Sequence, residues 1–505
     1  MALTKLTSLI FARRIKEIER YDTDAEHIQK KQLERLLHTA KATEWGKKYG
    51  YAGRLTPREY ADRVPVQGYE QIRPYIDRLL SGERNVVWPG SFKWFSKSSG
   101  TTDNKSKFIP VSSETFAKVH YQGATDATAL YLHNNPDSHL FSGKGLILGG
   151  THSPSNVNKH IHCGDLSGLL IENANPLLNL ISVPDKKIIL MDDWEKKLEK
   201  TIEATVQKNI TSFSGIPSWF LILCKKVLEQ TGKSYLTEVW PNLEVYFHGG
   251  VSLVPYREQF KALIPSGKMH YMETYNASEG FFAVQNDLSD PGMLLMIDYG
   301  IYYEFVPLDE LDKEHPRALP LWEVELGETY AMAISTNSGL WRYLIGDTVQ
   351  FTSLNPYKIV IAGRTRHFIN ISGEELMVGN TEKGLEIACA ETGAKVREYT
   401  VGPVFMTDDA KARHHWVIEF EKMPDEMEHF NEALDKALQS LNSDYESKRK
   451  KNLSFDRLTI TVARDGLFYD WMKQQGKLGG QHKVPRLSNE RRFIEELMAM
   501  NGGGS

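Results

Sequence analysis

The chain has 505 residues, 41% hydrophobic and 25% charged, with 61 Lys+Arg against 65 Asp+Glu and a net charge of -4. Such a length exceeds one ordinary core and predicts two to four domains at roughly 100–200 residues each. The composition excludes a disordered chain, and the charge balance argues against a protein that coats nucleic acid or anionic lipid.

The predicted elements begin with helix. Ile10, Ile15 and Ile18, then Ile28, Leu33, Leu36 and Leu37, recur at helical spacing among charges over the first forty residues. The apolar stretch 6–12 is interrupted by Thr7 and Ser8, stops at Arg13 and Arg14, and is too short for a membrane span. Short β-branched or apolar runs then predict strands at 145–148, 210–213, 243–247, 269–272, 330–335 and 359–361. Between some of them lie helical patterns. One carries Trp194, Leu198 and Ile202. Another opens at Pro217 and stops at Gly232, with proline in the first turn and glycine past the end. Strand alternating with helix predicts an α/β body with parallel strands.

From about residue 371 the texture changes. Strands are predicted at 396–401 and 416–420, a helix on the stripe Phe430, Leu434, Leu438 and Leu441, and a further strand at 458–462. That order suggests a small α+β domain. The tail Asn501-Gly-Gly-Gly-Ser505 reads as flexible and is set aside from fold reasoning. Three cysteines, Cys163, Cys224 and Cys389, stand far apart without CxxC spacing. They make neither a disulfide framework nor the usual zinc pattern, and point to a reducing, cytoplasmic compartment.

The most informative stretch is Ser98-Ser99-Gly100-Thr101-Thr102-Asp103-Asn104-Lys105-Ser106-Lys107. Small hydroxylated residues offer O–H donors, Gly100 allows close backbone approach, and the lysines add positive charge. Phosphate oxygens need such donors; the plain alternative is a polar turn between Phe95 and Phe108. It is not the Walker loop, because Ser99 and Asn104 stand at both glycine positions. Downstream come Tyr271-Met-Glu-Thr-Tyr275-Asn-Ala-Ser278-Glu279-Gly280, then Trp341-Arg342-Tyr343-Leu-Ile-Gly346-Asp347, then Gly363-Arg364-Thr365-Arg366 and Asn370-Ile-Ser-Gly373-Glu374-Glu375.

In this order these motifs resemble the adenylate-forming superfamily of acyl-CoA ligases, peptide-synthetase adenylation domains and luciferases. Thr43-Glu-Trp-Gly-Lys-Lys-Tyr-Gly-Tyr51, the Lys-Ser-Lys-Phe-Ile-Pro110 ending of the hydroxyl-rich loop, and Gly480-Gln-His-Lys483-Val-Pro-Arg486 narrow the likeness. They resemble the Gretchen Hagen family, the auxin-responsive acyl acid–amido synthetases of plants and their bacterial relatives. The resemblance covers about residues 10–495. It implies an α/β protein: a large N-terminal adenylate-forming domain, 1–370, with parallel-rich sheets and flanking helices, and a small mobile α+β lid domain, 371–500.

It also implies a reaction and its residues. A carboxylate attacks the α-phosphorus of ATP, giving an acyl-adenylate and pyrophosphate. Two anions must approach, so positive charge, Mg²⁺ and alignment matter more than an acid–base pair. Ser98, Ser99, Gly100, Thr101 and Thr102 are implied to hold phosphates, and Ser278 of the tyrosine–glutamate motif to belong to the nucleotide site. Asp103 stands where the wider superfamily has glycine, so its acid should point away. Glu279 is implied to reach Mg²⁺, since a hard cation takes carboxylate oxygen. Tyr275 is implied to stack on adenine, or else packs in the core. Asp347 is implied to accept both ribose hydroxyls, or else is a turn aspartate. Gly249 and Gly250 let the backbone lie against a flat base, or simply turn. Arg364 belongs near ribose or the domain junction, or in a surface ion pair.

Lys483 is implied to bring charge to the α-phosphate from the mobile domain. Lys477 competes with it, and a solvated loop lysine is the plain alternative. Ser372-Gly373 offers a small, flexible hinge pair. Ser214-Gly215-Ile216-Pro217-Ser218-Trp219, with Phe213 and Val251, could line the acid pocket. His160, His162 and Cys163 look metal-like without a completing ligand, His414-His415 reads as solvated, and Lys448 to Lys451 reads as a solvated charge run.

The expected partners are a carboxylic acid and an amine, specifically an amino acid, with no nucleic acid and no membrane. Coenzyme A as acceptor is the rival within the same first step. A nucleotide-binding regulator without chemistry is the rival of another class.

Overall fold

The structure, a computed structural model, describes residues 2–98, 107–176, 180–250, 253, 256–311, 313–364, 368–374, 376–407, 410–450, 455–475 and 484–502. They fall into two compact units, one within residues 1–98 and 108–365, the other within residues 99–107 and 366–505. The division therefore lies five residues before the change in sequence texture.

In the larger unit, helices Ala2–Glu19 and Tyr21–Ala40 form as their periodicity predicts, and Ile15, Ile18, Leu33, Leu36 and Leu37 are buried. Gln29 ties the second helix to the sheet. Its amide donates to the carbonyls of Ile297 and Ile301 at 2.7 and 3.0 Å and accepts from the Tyr303 amide at 2.8 Å. All three bonds are buried, which satisfies a polar side chain that would otherwise oppose folding.

The main sheet has twelve strands among the described residues. Lys144–Ile147, Ser182–Val183, Ile210–Gly215, Val245–His248 and His270–Ala277 run parallel. Helices Trp194–Thr205 and Pro217–Thr231 supply crossovers between them. The second helix begins at proline and ends at Gly232 with φ 65°, a left-handed cap that glycine takes without penalty.

The remaining strands, Gly280–Val284, Met293–Leu295, Ile301–Pro307, Leu319–Pro320, Thr329–Thr336, Tyr343–Leu354 and Tyr357–Arg364, pair antiparallel. In the main sheet the expected parallel arrangement thus holds over 144–277 and gives way beyond it. Antiparallel pairs close through short connections, whereas parallel pairs need a crossover. Strand His270–Ala277 is the seam, parallel to one neighbour and antiparallel to the other.

A second, four-stranded sheet holds Lys107–Val111, Trp94–Ser98, His162–Gly164 and His152–Pro154 in that order.

In the smaller unit, Lys395–Val404, Arg413–Lys422 and Thr459–Val462 form a three-stranded sheet with helices Val378–Thr392 and Met427–Leu441. Phe430, Leu434 and Leu438 are fully buried, as their stripe predicts. Four expectations are corrected here. His414 is fully buried, 2.9 Å from Glu374, because its strand faces the core rather than water. Arg449, in the supposed solvated run, is half-buried and pairs with the buried Asp435 at 2.9 Å. Asn501 belongs to helix Arg492–Gly502 and donates to the Val462 carbonyl at 3.0 Å.

The fourth concerns Ser372-Gly373. Glu374 accepts the amides of Ile371 and Ser372 at 2.8 and 2.7 Å, and Asn370 accepts that of Gly373 at 2.6 Å. Ser372 is fully buried. The pair is pinned by these bonds and is not a loose hinge. No helix among the described residues is long and apolar enough to cross a membrane.

Candidate functional site

The site residues gather on the hairpin that leaves the seam strand. Strand His270–Ala277 turns through Ser278 and Glu279 into Gly280–Val284, with Ala277 opposite Gly280. Side chains alternate along a strand, so Glu273 and Tyr275 share one face while Thr274 and Asn276 share the other.

On the first face, the Tyr275 hydroxyl donates to Oδ2 of Asp347 at 2.5 Å. Asp347 lies in Tyr343–Leu354, directly after Gly346, whose φ of 96° requires the left-handed region. Tyr275 is 6% exposed and Asp347 8%, and the tyrosine ring lies edge-on to Phe282 at 5.0 Å. So little exposed ring leaves small area for stacking a base, and the hydroxyl instead orients a carboxylate. Arg364 stands opposite Asp347 in the strand register.

On the second face, Nδ1 of His120 lies 2.9 Å from Oδ1 of Asn276. The Thr274 hydroxyl donates to the His248 carbonyl at 3.1 Å. Gly249 follows there, and a Cβ on it would meet the Thr274 carbonyl oxygen at 2.3 Å, so only glycine fits. Gly250 has φ 80°. At the turn itself, the Ser96 hydroxyl donates to Ser278 Oγ at 2.8 Å. Ser96 sits in Trp94–Ser98, two residues before Ser98. Glu279 is 8% exposed, an oxygen donor at the tip of the hairpin and of a chemistry suited to a hard cation.

Burial sets the electrostatics around the hairpin. It pushes His120 down to about 4 and His248 down to about 3, so both rings are neutral near pH 7. Burial raises the Glu273 carboxyl, with nearby Arg257 opposing part of the effect.

Of the sequence candidates, Gly249, Tyr275, Ser278, Glu279, Asp347 and the backbone of Arg364 are thus brought to one hairpin. Ser99, Gly100, Thr101, Thr102, Lys477 and Lys483 lie outside the described residues, as does Val251. Phe213 is fully buried, stacked on Phe220 at 4.8 Å, so it packs the core and lines no pocket. Trp219 packs on Trp194 at 5.3 Å. No group of three or more metal-ligating side chains occurs among the described residues. Ser96, His120 and Glu273 were missed. Ser96 and His120 carry no local pattern, and only the fold brings them to the hairpin.

The sequence pattern of the GH3 family N-terminal domain matches residues 14–269, that of the GH3 family central domain residues 294–364, and that of the GH3 family C-terminal domain residues 380–492. The chain is 24% identical to the indole-3-acetic acid-amido synthetase GH3.3 of Arabidopsis thaliana, over 93% of this chain and 90% of that protein. It is 23% identical to the jasmonoyl–L-amino acid synthetase JAR6 of Nicotiana attenuata, over 94% and 92%. The fold is that of the GH3.15 acyl acid amido synthetase, with a TM-score of 0.59 at 19% identity over 96% of this chain and 95% of that one. The chain belongs to the GH3 family, the Gretchen Hagen family whose motifs its sequence carries.

Proposed function

We propose that this protein is an adenylate-forming ligase that joins a carboxylic acid to the amine of an amino acid. In the first step a carboxylate oxygen of the acid attacks the α-phosphorus of ATP. A new O–P bond forms, the bond to pyrophosphate breaks, and the acyl-adenylate remains. In the second step the amine nitrogen attacks the acyl carbon, the C–N bond forms, AMP leaves with the electron pair of the C–O bond, and the amine loses a proton.

One observation carries this reading. Ser96, Ser278 and Asp347 come from three distant stretches and are tied to a single hairpin. In sequence the hydroxyl-rich loop follows Ser96 within three residues, and the Asp347 carboxylate is held by Tyr275 of the same hairpin. In this reading Asp347, oriented by Tyr275, accepts the ribose hydroxyls. Gly249 and Gly250 carry the backbone past the base. Ser278 and residues 98–102 hold phosphate oxygens, and Lys483 supplies charge at the α-phosphorus. Glu279 fits Mg²⁺, which neutralises charge on the phosphates when bound. The names of the two plant relatives support the amide outcome, because both are named for joining an acid to an amino group. Their different acids leave the acid of this chain to experiment.

The test supplies ATP, Mg²⁺ and hydroxylamine with a panel of carboxylic acids. A hydroxamate marks the adenylate. Productive acids are then offered amino acids or coenzyme A, and the product is weighed by mass spectrometry. An amide supports the reading. A thioester moves it to acyl-CoA ligation, and no hydroxamate from any acid sinks it.

A further inference from the structure

We propose that His120 is a positioning residue of this site: its Nδ1 holds Asn276, and through that strand the Ser278-Glu279 turn, in the geometry that nucleotide and metal require. The assignment rests on the adenylation reading above.

His120 ends a π-helical turn, Phe116–His120, between the short helix Ser113–Thr115 and the helix Tyr121–Asn134. Such turns insert an extra residue, pack less well than α-helix, and recur at functional sites. Both ends of this one are fixed. Upstream, Ser112 caps the Thr115 amide at 3.0 Å, and the Thr115 hydroxyl donates to Asn337 at 2.8 Å. Downstream, the helix backbone lies on Phe281, whose ring would stand 2.3 Å from a Cβ at Gly123. With the helix held on either side, the inserted residue decides where the His120 ring points.

That ring is 2% exposed, and its Nε2 has no hydrogen-bond partner among the described residues. An unpaired buried polar atom is unfavourable. A phenylalanine would fill similar space without that penalty, so packing alone gives no reason for a histidine. The Nδ1 contact does. Asn276 is two residues from Ser278, on the face opposite Tyr275. The hairpin is therefore gripped on one face by Tyr275 and Asp347, on the other by His120 and Asn276, and at its turn by Ser96 and Ser278.

Two replacements separate the hydrogen bond from packing. In His120→Asn the amide nitrogen takes the place of Nδ1, while His120→Phe fills the volume without a donor. ATP-dependent hydroxamate formation is followed over ATP and Mg²⁺ titrations, with thermal unfolding alongside. His120→Phe should lower kcat about ten- to a hundredfold and raise the Mg²⁺ needed for half-maximal rate, with its melting temperature held or raised. His120→Asn should keep kcat within a few fold although it leaves a void. Asn276→Ala should reproduce the Phe loss, and the double variant should lose no more than either alone. The reverse order, Phe near wild type and Asn impaired, overturns the assignment. If His120→Phe does not fold, Asn276→Ala decides: a wild-type kcat overturns it. An active wild type with unaffected variants defeats this assignment alone. A wild type that forms no hydroxamate defeats the adenylation reading and this one with it.

Discussion

The hydroxyl of Tyr275 donates to Oδ2 of Asp347 at 2.5 Å, linking side chains 72 positions apart. Both are buried, so the bond forms where water competes poorly and the local dielectric is low. It fixes the direction of the carboxylate that, in the proposed reading, meets two neighbouring ribose hydroxyls. Asp347→Ala should weaken ATP binding by about 1.5–3 kcal/mol for each lost hydrogen bond, with the fold retained. Tyr275→Phe should weaken it less, and the double variant should match Asp347→Ala. Calorimetric titration with ATP checks this. Wild-type affinity in Asp347→Ala would remove the ribose role.

Glu279 sits at the hairpin tip with 8% exposure. As a metal ligand it is irreplaceable by an amide of the same shape, because Mg²⁺ selects charged oxygen. Glu279→Gln should raise the Mg²⁺ concentration needed for pyrophosphate release and slow the reaction, while unfolding hardly changes. Turnover that is unaltered across a Mg²⁺ titration would take Glu279 out of the site.

Arg342 tests stability rather than chemistry. Its Nε is 2.9 Å from Glu304, and its Nη1 donates to the carbonyls of Ala61 and Val64 at 2.9 and 2.6 Å. Both charges are buried, and Arg342 takes φ 44°. Removing one partner leaves a buried charge uncompensated, which costs about 3–5 kcal/mol. Arg342→Met should show that loss in urea unfolding, and Glu304→Gln with Arg342→Met should recover part of it. A single-variant loss below about 1 kcal/mol would contradict the burial.

Two buried histidines set an acid limit. His120 and His248 titrate at about 4 and about 3 in the folded chain, against the usual 6.5, because burial disfavours the cation. Between those values the unfolded chain binds more protons, so stability rises with pH there and is lost as pH falls from about 6.5 towards 4. Denaturant unfolding at pH 7, 6, 5 and 4.5 should show the fall, and His248→Phe should flatten it. Identical slopes in wild type and variant would refute the contribution of that ring.

Lys483→Ala should slow acyl-adenylate formation by on the order of 10²-fold or more and spare acyl transfer from adenylate supplied ready-made. ATP affinity should change little. Single-turnover adenylation beside transfer from synthetic adenylate distinguishes the cases. Equal slowing of both steps would give the lysine a structural role, and no slowing would pass the task to Lys477 or to no lysine.

Much of this protein is legible in the order of its residues. The periodicity of Ile15, Ile18, Leu33 and Leu36, the proline and glycine that bracket Pro217–Thr231, and the stripe Phe430, Leu434 and Leu438 are local patterns. They act through backbone propensity and one buried face, so they can be read without knowing the neighbours. The motifs around Tyr275, Ser278, Glu279 and Asp347 were legible for another reason: their order along the chain resembles that of the family to which the chain belongs. What folding alone decided is which side chains meet. Nothing near residue 120 signals that a histidine will hold Asn276, nothing near residue 96 that a serine will reach Ser278, and nothing near residue 414 that an apparently solvated histidine will be fully buried against Glu374. The same holds for the switch from parallel to antiparallel pairing at His270–Ala277 and for the pinning of Ser372 and Gly373. Hydrogen bonds and burial across tens to hundreds of positions depend on how strands are ordered in a sheet, and that order is a property of the whole packed chain, not of any window along it.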